Sequence, residues 1–424
     1  MKRIGVLLIV LLLALHLIGC GRKKEESNNF EFATWAAGAE LTDLREIVDK
    51  VNEAAAGEYV IEIQSIPSDY YVKISTQIAG KHSPDFFWMT QELVSKYAEL
   101  GAIANLTSQF NESERLKPEE YYEGVLASAT YKEKYWGLPW IANPMLVYYN
   151  KTMFEQIGIK VPTPTDDWTW EEFIQIAREL TGKENYKGES TYGYVVDGWP
   201  NIETFIWAGG GDVIGEDGKT ILLDSNESLK GVGYLQTIIA EGLTPRYAEI
   251  ASLGSNNVWF EKQRVGMYMG GLQDNFEEKV NKMSEEAKFE IGYAPMPVCD
   301  DGTSWSFDWT ASTVMKKDLE GNKLAYKALE DLTLAFFEWK VAPPVKNSVE
   351  NVVKIAPLKD KAIETIEFTL LGARSANYVP EWSDINDKLW YNLYVKLLND
   401  PTFDYKTEMK SIAEYSRGKI AARK

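Results

Sequence analysis

FEFATWAAGAELTDLREIVDKVNEAAAGEYVIEIQSIPSDYYVKISTQIAGKHSPDFFWM, residues 30–89, alternates between two hydrophobic periods. Residues 30–35 read as a first strand. Over residues 41–56 the apolar positions Leu41, Leu44, Ile47, Val48 and Val51 fall at helical spacing. Residues 59–66 alternate at Val60, Ile61 and Ile63 and read as a second strand. A helix with Val72, Ile74 and Ile78 follows over 71–79, then a short buried strand over 85–89. Residues 92–100 continue as a helix ended by Gly101. Strand, helix, strand, helix, strand is the α/β order, and it favours a parallel sheet.

Downstream, residues 135–150 (YWGLPWIANPMLVYYN) end in a strand over 145–149. A short helix closed by Gly158, a Pro-punctuated loop at 163–167 and a helix over 168–180 come next. Thr169 and Glu172 stand at capping-box spacing for that helix. Residues 191–196, 265–269, 291–297 and 311–315 read as strands. Residues 202–208, 229–241, 323–339, 384–398 and 407–421 read as helices.

Upstream, Lys2 and Arg3 precede an unbroken apolar run from Val6 to Leu15. A basic start and a short apolar run read as an export signal, too short for an ordinary membrane-spanning helix. Leu17-Ile18-Gly19-Cys20 resembles the lipobox of bacterial lipoproteins, which implies cleavage before Cys20 and lipidation of that residue. More than one acyl chain anchors a protein durably. Residues 20–29 then read as a polar tether. The expected location is the extracytoplasmic side of a cell membrane.

With residues 1–19 removed, the chain is still too long for one typical core and points to two domains. The formal charge of −18 argues against nucleic acid, which needs clustered cations. With Cys20 acylated, Cys299 has no disulfide partner. A single remaining histidine, His82, leaves no ligand set for structural zinc, and no metal or cofactor is expected. The chain holds 14 Trp and 23 Tyr, rings that suit surfaces part apolar and part wet, as a pyranose presents.

Gly209-Gly210-Gly211 lacks the lysine and hydroxyl of a phosphate loop and reads as a tight turn. Glu171-Glu172 and Glu119-Glu120 are helix neighbours that do not face one another. No nucleophile elbow or HExxH motif occurs. Two carboxylates distant in sequence could still form a glycosidase pair.

Four further stretches resemble, in order, the extracellular solute-binding proteins of bacterial ABC importers, in the family 1 oligosaccharide branch. They are SPDFFWMTQELVSKYAELGAIANLT (83–107), YWGLPWIANPMLVYYNKTMFEQIGI (135–159) with WTWEEFIQIARELT (168–181), NNVWFEKQRVGMYMGG (256–271) and ASTVMKKDLEGNKLAYKALEDLT (311–333). The resemblance implies an α/β, two-lobed periplasmic-binding-protein-like fold of type II with the ligand cleft between lobes. It implies lobe 1 at 30–142 with 298–342 and lobe 2 at 143–297 with 343–424. The chain should cross between lobes near 142–145, 294–298 and 339–348. The implied role is capture of a sugar by hinge closure, without chemistry, and delivery to the ABC permease by a monomer. A peptide or polyamine ligand, and a surface glycosidase, are the alternatives.

Strand ends and the resemblance together nominate the ligand contacts. Trp35 and Glu40 follow the first strand, Asp69 the second, and Gln91 and Glu92 the third. Trp140 and Asn143 lie at the first crossing, the latter where maltose-binding relatives carry an acid. Trp199 resembles a stacking position. Leu272 stands where the family often has Trp, which weakens any specific maltodextrin assignment. Trp305, Asp308 and Trp309 precede the 311–315 strand, and Arg374, Tyr378 and Trp382 resemble a C-terminal contact segment.

Overall fold

The computed structural model describes residues 28–165, 168–339, 342 and 344–423. The expected signal segment and the lipid site at Cys20 lie outside the described residues. Eleven strands occur among them: β1 Asn29–Thr34, β2 Val60–Ser65, β3 Phe86–Thr90, β4 Thr130–Tyr131, β5 Lys134–Tyr135, β6 Leu138–Pro144, β7 Leu146–Asn150, β8 Met267–Gly270, β9 Ile291–Ala294, β10 Ser306–Met315 and β11 Ala373–Arg374.

The first lobe is built on the sheet β2-β1-β3-β10-β6, with β11 beside the start of β10. β1 pairs in parallel with β2 and with β3, placing Phe32 opposite both Ile63 and Phe86. β10 runs antiparallel to β3 and β6, so the sheet is mixed where the opening stretch favoured a parallel one. Every residue of β3 is buried, as a strand covered on both faces requires. Phe30, Phe32, Phe86 and Trp88 pack with Leu44, Val48 and Val51 of helix Gly38–Ala54 and with helix Lys323–Phe336. Ala33, Phe87 and Met89 face the other way, toward Ile74 of helix Tyr70–Ala79 and Val94 of helix Gln91–Glu99.

The second lobe centres on the antiparallel sheet β8-β7-β9. Asn150 caps the helix after β7 by accepting from the Met153 N–H at 3.0 Å. The expected capping box forms: Thr169 N–H donates to Glu172 Oε2 at 2.7 Å, and Glu172 N–H to Thr169 Oγ1 at 3.2 Å. Val147 and Tyr149 pack with Phe173, Phe205 and Leu235 in this lobe's core. Residues 191–196 do not form the expected strand. Tyr192 makes one bridge to Val265, and Gly193 lies so close to the helix Trp170–Leu180 that a Cβ would sit 2.3 Å from Ala177 O.

Two neighbouring strands carry the chain between lobes. β6 passes into β7 through Met145, whose N–H donates to Phe307 O at 3.0 Å. β10 is the return path: Phe307 belongs to the second core, Ala311 and Met315 to the first. The expected passage at 294–298 is therefore displaced toward the C-terminus. Val298 still bridges Thr169, and Cys299 packs in the second core. Near the expected third crossing, Ala342 O accepts from Ala142 N–H, and Val345 bridges Tyr121. Lys359 then inserts beside Tyr148 and Glu277 of the second lobe.

Candidate ligand cleft between the lobes

The carboxyl ends of β1 and β3 open toward the second lobe, the usual place for ligand in an open α/β sheet. Trp35, directly after β1, is half-buried, edge-on to Tyr70 at 5.3 Å and 4.9 Å from Trp88. Glu40 lies in the first turn of the next helix and is partly buried. Asp69 is exposed in a left-handed conformation before helix Tyr70–Ala79, and its side chain makes no capping bond.

At the end of β3, Thr90 Oγ1 donates to Glu92 Oε1 at 2.6 Å and is 2.8 Å from the Tyr71 hydroxyl. Burial raises the Glu92 carboxyl above its usual range despite that bond. The Gln91 side chain is spent on protein: Oε1 accepts from Thr310 N–H at 2.7 Å and from its hydroxyl at 2.8 Å. Nε2 donates to the Tyr378 hydroxyl at 2.9 Å. One amide thus ties a first-lobe helix, the crossing strand and the second lobe together.

Asn143 Oδ1 accepts from Leu272 N–H at 2.7 Å, and Gly271 packs against the same carboxamide, where a Cβ would come within 2.5 Å. Asp308 is fully buried with no cation beside it, and burial holds its carboxyl well above the ordinary carboxylate range, against a small opposing effect of the Asn143 backbone. Its neighbour Trp309 is half-buried and packs against both of the large apolar clusters.

From the second lobe, Trp199 is half-buried and edge-on to Phe307 at 5.8 Å. Asp197 accepts from Asn256 Nδ2 at 2.9 Å. Glu203 is 2% exposed with Oε2 unpartnered, and its carboxyl is pushed up to about 7, by burial first and then by the charge on Asp212. Glu92 repels it from the other lobe. Nucleated by no motif, Asp197 and Glu203 escaped the sequence reading. The signal for Glu203 was present: helix Ile202–Ala208 (IETFIWA) carries one charge among apolar side chains and is buried throughout.

Four more of the nominated residues are engaged within the protein in this conformation. Trp140 is 2% exposed and stacks 4.5 Å from Trp88, with Trp339 at 6.1 Å on a nearly parallel plane. Trp382 is 2% exposed in the second core, edge-on to Tyr378. Arg374 pairs with Asp212 at 2.8 Å, its guanidinium 4.6 Å from the Trp207 ring and 4.7 Å from that of Trp305. Trp305 Nε1 donates to Asp301 at 2.7 Å.

A cavity of about 460 Å³ opens between helix Gln91–Glu99 and residues 375–379, touching both lobes. A larger hollow of about 600 Å³ lies on the first lobe's flank, by Ile47, Ala335 and Trp339. Among the described residues no group of His, Cys, Asp or Glu is placed to hold a metal ion. No described helix is long and apolar enough to cross a membrane.

The model of the family "Bacterial extracellular solute-binding protein" matches residues 38–330. A putative binding protein of Brucella abortus is 25% identical over 356 residues, covering 81% of this chain and 82% of that protein. The erythritol/L-threitol-binding protein of Mycolicibacterium smegmatis is 24% identical over 381 residues, covering 81% and 73%. Among solved structures, the sugar-binding protein MalE from Xanthomonas citri superposes with a TM-score of 0.75 at 18% identity, covering 93% of this chain and 97% of that one. With its two lobes, the crossing strands between them and a family match over most of its length, the chain belongs to the bacterial extracellular solute-binding proteins.

Proposed function

We propose that this protein captures a sugar or other polyhydroxylated solute between its lobes and delivers it to an ABC permease, without chemical conversion. The observation that carries this reading is the interlobe surface itself. Half-buried Trp35, Trp199 and Trp309 supply apolar faces, and Glu92 supplies a partly exposed carboxyl with no cation partner, while the cation-free carboxyls of Glu203 and Asp308 are buried. A sugar ring offers C–H faces to indoles and hydroxyl donors to carboxyl oxygens. The sugar and polyol ligands in the names of the relatives support the same class.

In this reading the protein acts as a monomer held at the membrane through Cys20. Its first lobe ends within β10, and Asn143 to Met145 with Phe307 to Thr310 form the paired hinge strands. Closure is a hinge motion about those strands. An amine ligand is the second reading, because the same unpaired carboxyls would receive a cation.

Thermal shift against a panel of sugars, polyols and polyamines tests it, since a ligand that binds the native state raises Tm. Trp199→Ala and Trp309→Ala should each weaken sugar binding about tenfold or more, one stacking contact being worth on the order of 1 kcal/mol. A shift confined to polyamines would reassign the ligand, and unchanged affinity in both variants would displace the site.

A further inference from the structure

Residues 384–398, expected to form one helix, contain a π-helical turn at Leu389–Tyr394 (LWYNLY). Such turns, closed by i→i+5 bonds, are rare and cluster at functional sites. This one packs against the loop that carries Trp199. The half-buried Trp390 indole lies on the backbone of Gly198, where a Cβ would come within 2.2 Å of ring atom Cη2 and 2.6 Å of Cζ3. Gly198 also has a φ of +113°, so both space and backbone conformation reserve the position for glycine.

The loop is held on both sides of Trp199. Asp197 Oδ1 accepts from Trp199 N–H at 3.3 Å and from Asn256 Nδ2 at 2.9 Å. The hydroxyl of Tyr394, a residue 1% exposed, donates to Pro200 O. Trp390 and Tyr394 pack edge-on at 5.7 Å, so one pair of rings braces residues 198 and 200 together. Trp199, between those two points, is half-buried and packs edge-on to Phe307 of the crossing strand. The π turn carries no charge, so its hold on the loop is steric apart from the Tyr394 bond. Tyr391, within the same turn, is 65% exposed.

We infer that Trp390 is a positioning residue for the ligand cleft: with Tyr394 it fixes residues 197–200 so that the Trp199 ring is held in one orientation before solute arrives. The inference rests on the reading of Trp199 as a stacking residue. A ring ordered in advance loses little freedom on binding, so the brace adds to affinity without touching solute. Its removal should weaken binding about two- to tenfold, the cost of ordering one side chain.

The test uses the mature protein labelled with fluorotryptophan, in which fluorine NMR reads Trp199 directly, its resonance assigned through Trp199→Phe. Trp390→Leu should shift and broaden that resonance before any solute is added. Trp390→Phe should restore it, and Tyr391→Ala, an exposed control, should leave it in place. Tyr394→Phe, which deletes one hydrogen bond and keeps the ring, tests the same brace should Trp390→Leu not fold. Glucose, maltotetraose and erythritol are then titrated into each protein, and the affinity lost in Trp390→Leu should return in Trp390→Phe. An unmoved Trp199 resonance in both Trp390→Leu and Tyr394→Phe would overturn the inference. So would a moved resonance with affinity intact while Trp199→Ala loses binding, an outcome that leaves the cleft reading standing. Unchanged affinity in Trp199→Ala, or a wild type that binds none of the three, would overturn the cleft reading and the inference with it.

Discussion

Glu203 makes stability depend on pH in a direction opposite to that of a salt-bridged acid. Its carboxyl titrates near 7 in the fold against 4.5 for a solvent-exposed glutamate, chiefly because burial disfavours the ion. Below pH 4.5 the group is neutral in both folded and unfolded chains and costs nothing. Between the two values the unfolded chain has lost its proton while the folded one keeps it, so the folded state binds more protons. Stability then falls as pH rises, and the loss is complete once pH passes the folded value. The shift of about 2.5 units corresponds to roughly 3 kcal/mol. Asp274, raised to about 6 mainly by burial, and Asp308, raised further, slope the same way, so the total pH dependence of the protein cannot be credited to one residue. The difference between wild type and Glu203→Gln isolates it. Urea unfolding from pH 4.5 to 8 should show the variant gaining on the wild type by about 3 kcal/mol across that range, whatever constant offset the amide introduces. Parallel pH profiles for the two proteins would refute the argument that this carboxyl is buried without compensation.

Two other perturbations test the scaffold. Lys359 and Glu277 form an ion pair at 3.0 Å with side chains 1% and 7% exposed, so Lys359→Ala should cost about 3–5 kcal/mol in urea unfolding by leaving a buried carboxylate unpaired. A cost under 1 kcal/mol would show that water reaches Glu277. Gly231 lets helix Asn226–Ala240 approach helix Ile202–Ala208, and a Cβ there would sit 2.1 Å from Phe205 O; Gly231→Ala should cost about 1–3 kcal/mol in the same assay.

The first lobe was legible because its strands and helices carry their own periods. Phe30 and Phe32 alternate inward, and Leu44, Val48 and Val51 recur at helical spacing. The second lobe was harder for a physical reason. Residues 191–196 are apolar and mostly buried, but contact with a helix buries them where a ladder was expected, and an apolar run does not state which. The crossing within β10 was hidden in a similar way. Phe307 and Ala311 look alike as core residues of one strand, yet they serve different cores. Site residues suffered most where the partner is remote. Arg374 finds Asp212 162 positions earlier in the chain, and Gln91 finds Tyr378 287 positions later. Counting indoles could not separate Trp140 and Trp382, which fill cores, from Trp199 and Trp309, which remain half-buried between lobes.

The pairing of Arg374 also bears on what the cleft rejects. Its charge is held by Asp212 and covered by two indoles, so it is not available to neutralise an incoming anion without giving up a buried carboxylate. The acids Glu92, Glu203, Asp197 and Asp308 are all raised by burial, and no cation lies close enough to any of them to lower it. A phosphorylated or carboxylated sugar would therefore be desolvated with no free cation to receive its charge, whereas a neutral sugar loses only hydroxyl hydration, which carboxyl groups can replace by hydrogen bonds. A neutral ligand and its anionic derivative, titrated in parallel, should differ by at least tenfold in favour of the neutral one, the cost of one unpaired charge being on the order of 1.4 kcal/mol or more. Equal affinities would mean that Arg374 leaves Asp212 on closure and that the acidic groups are hydrated when ligand binds.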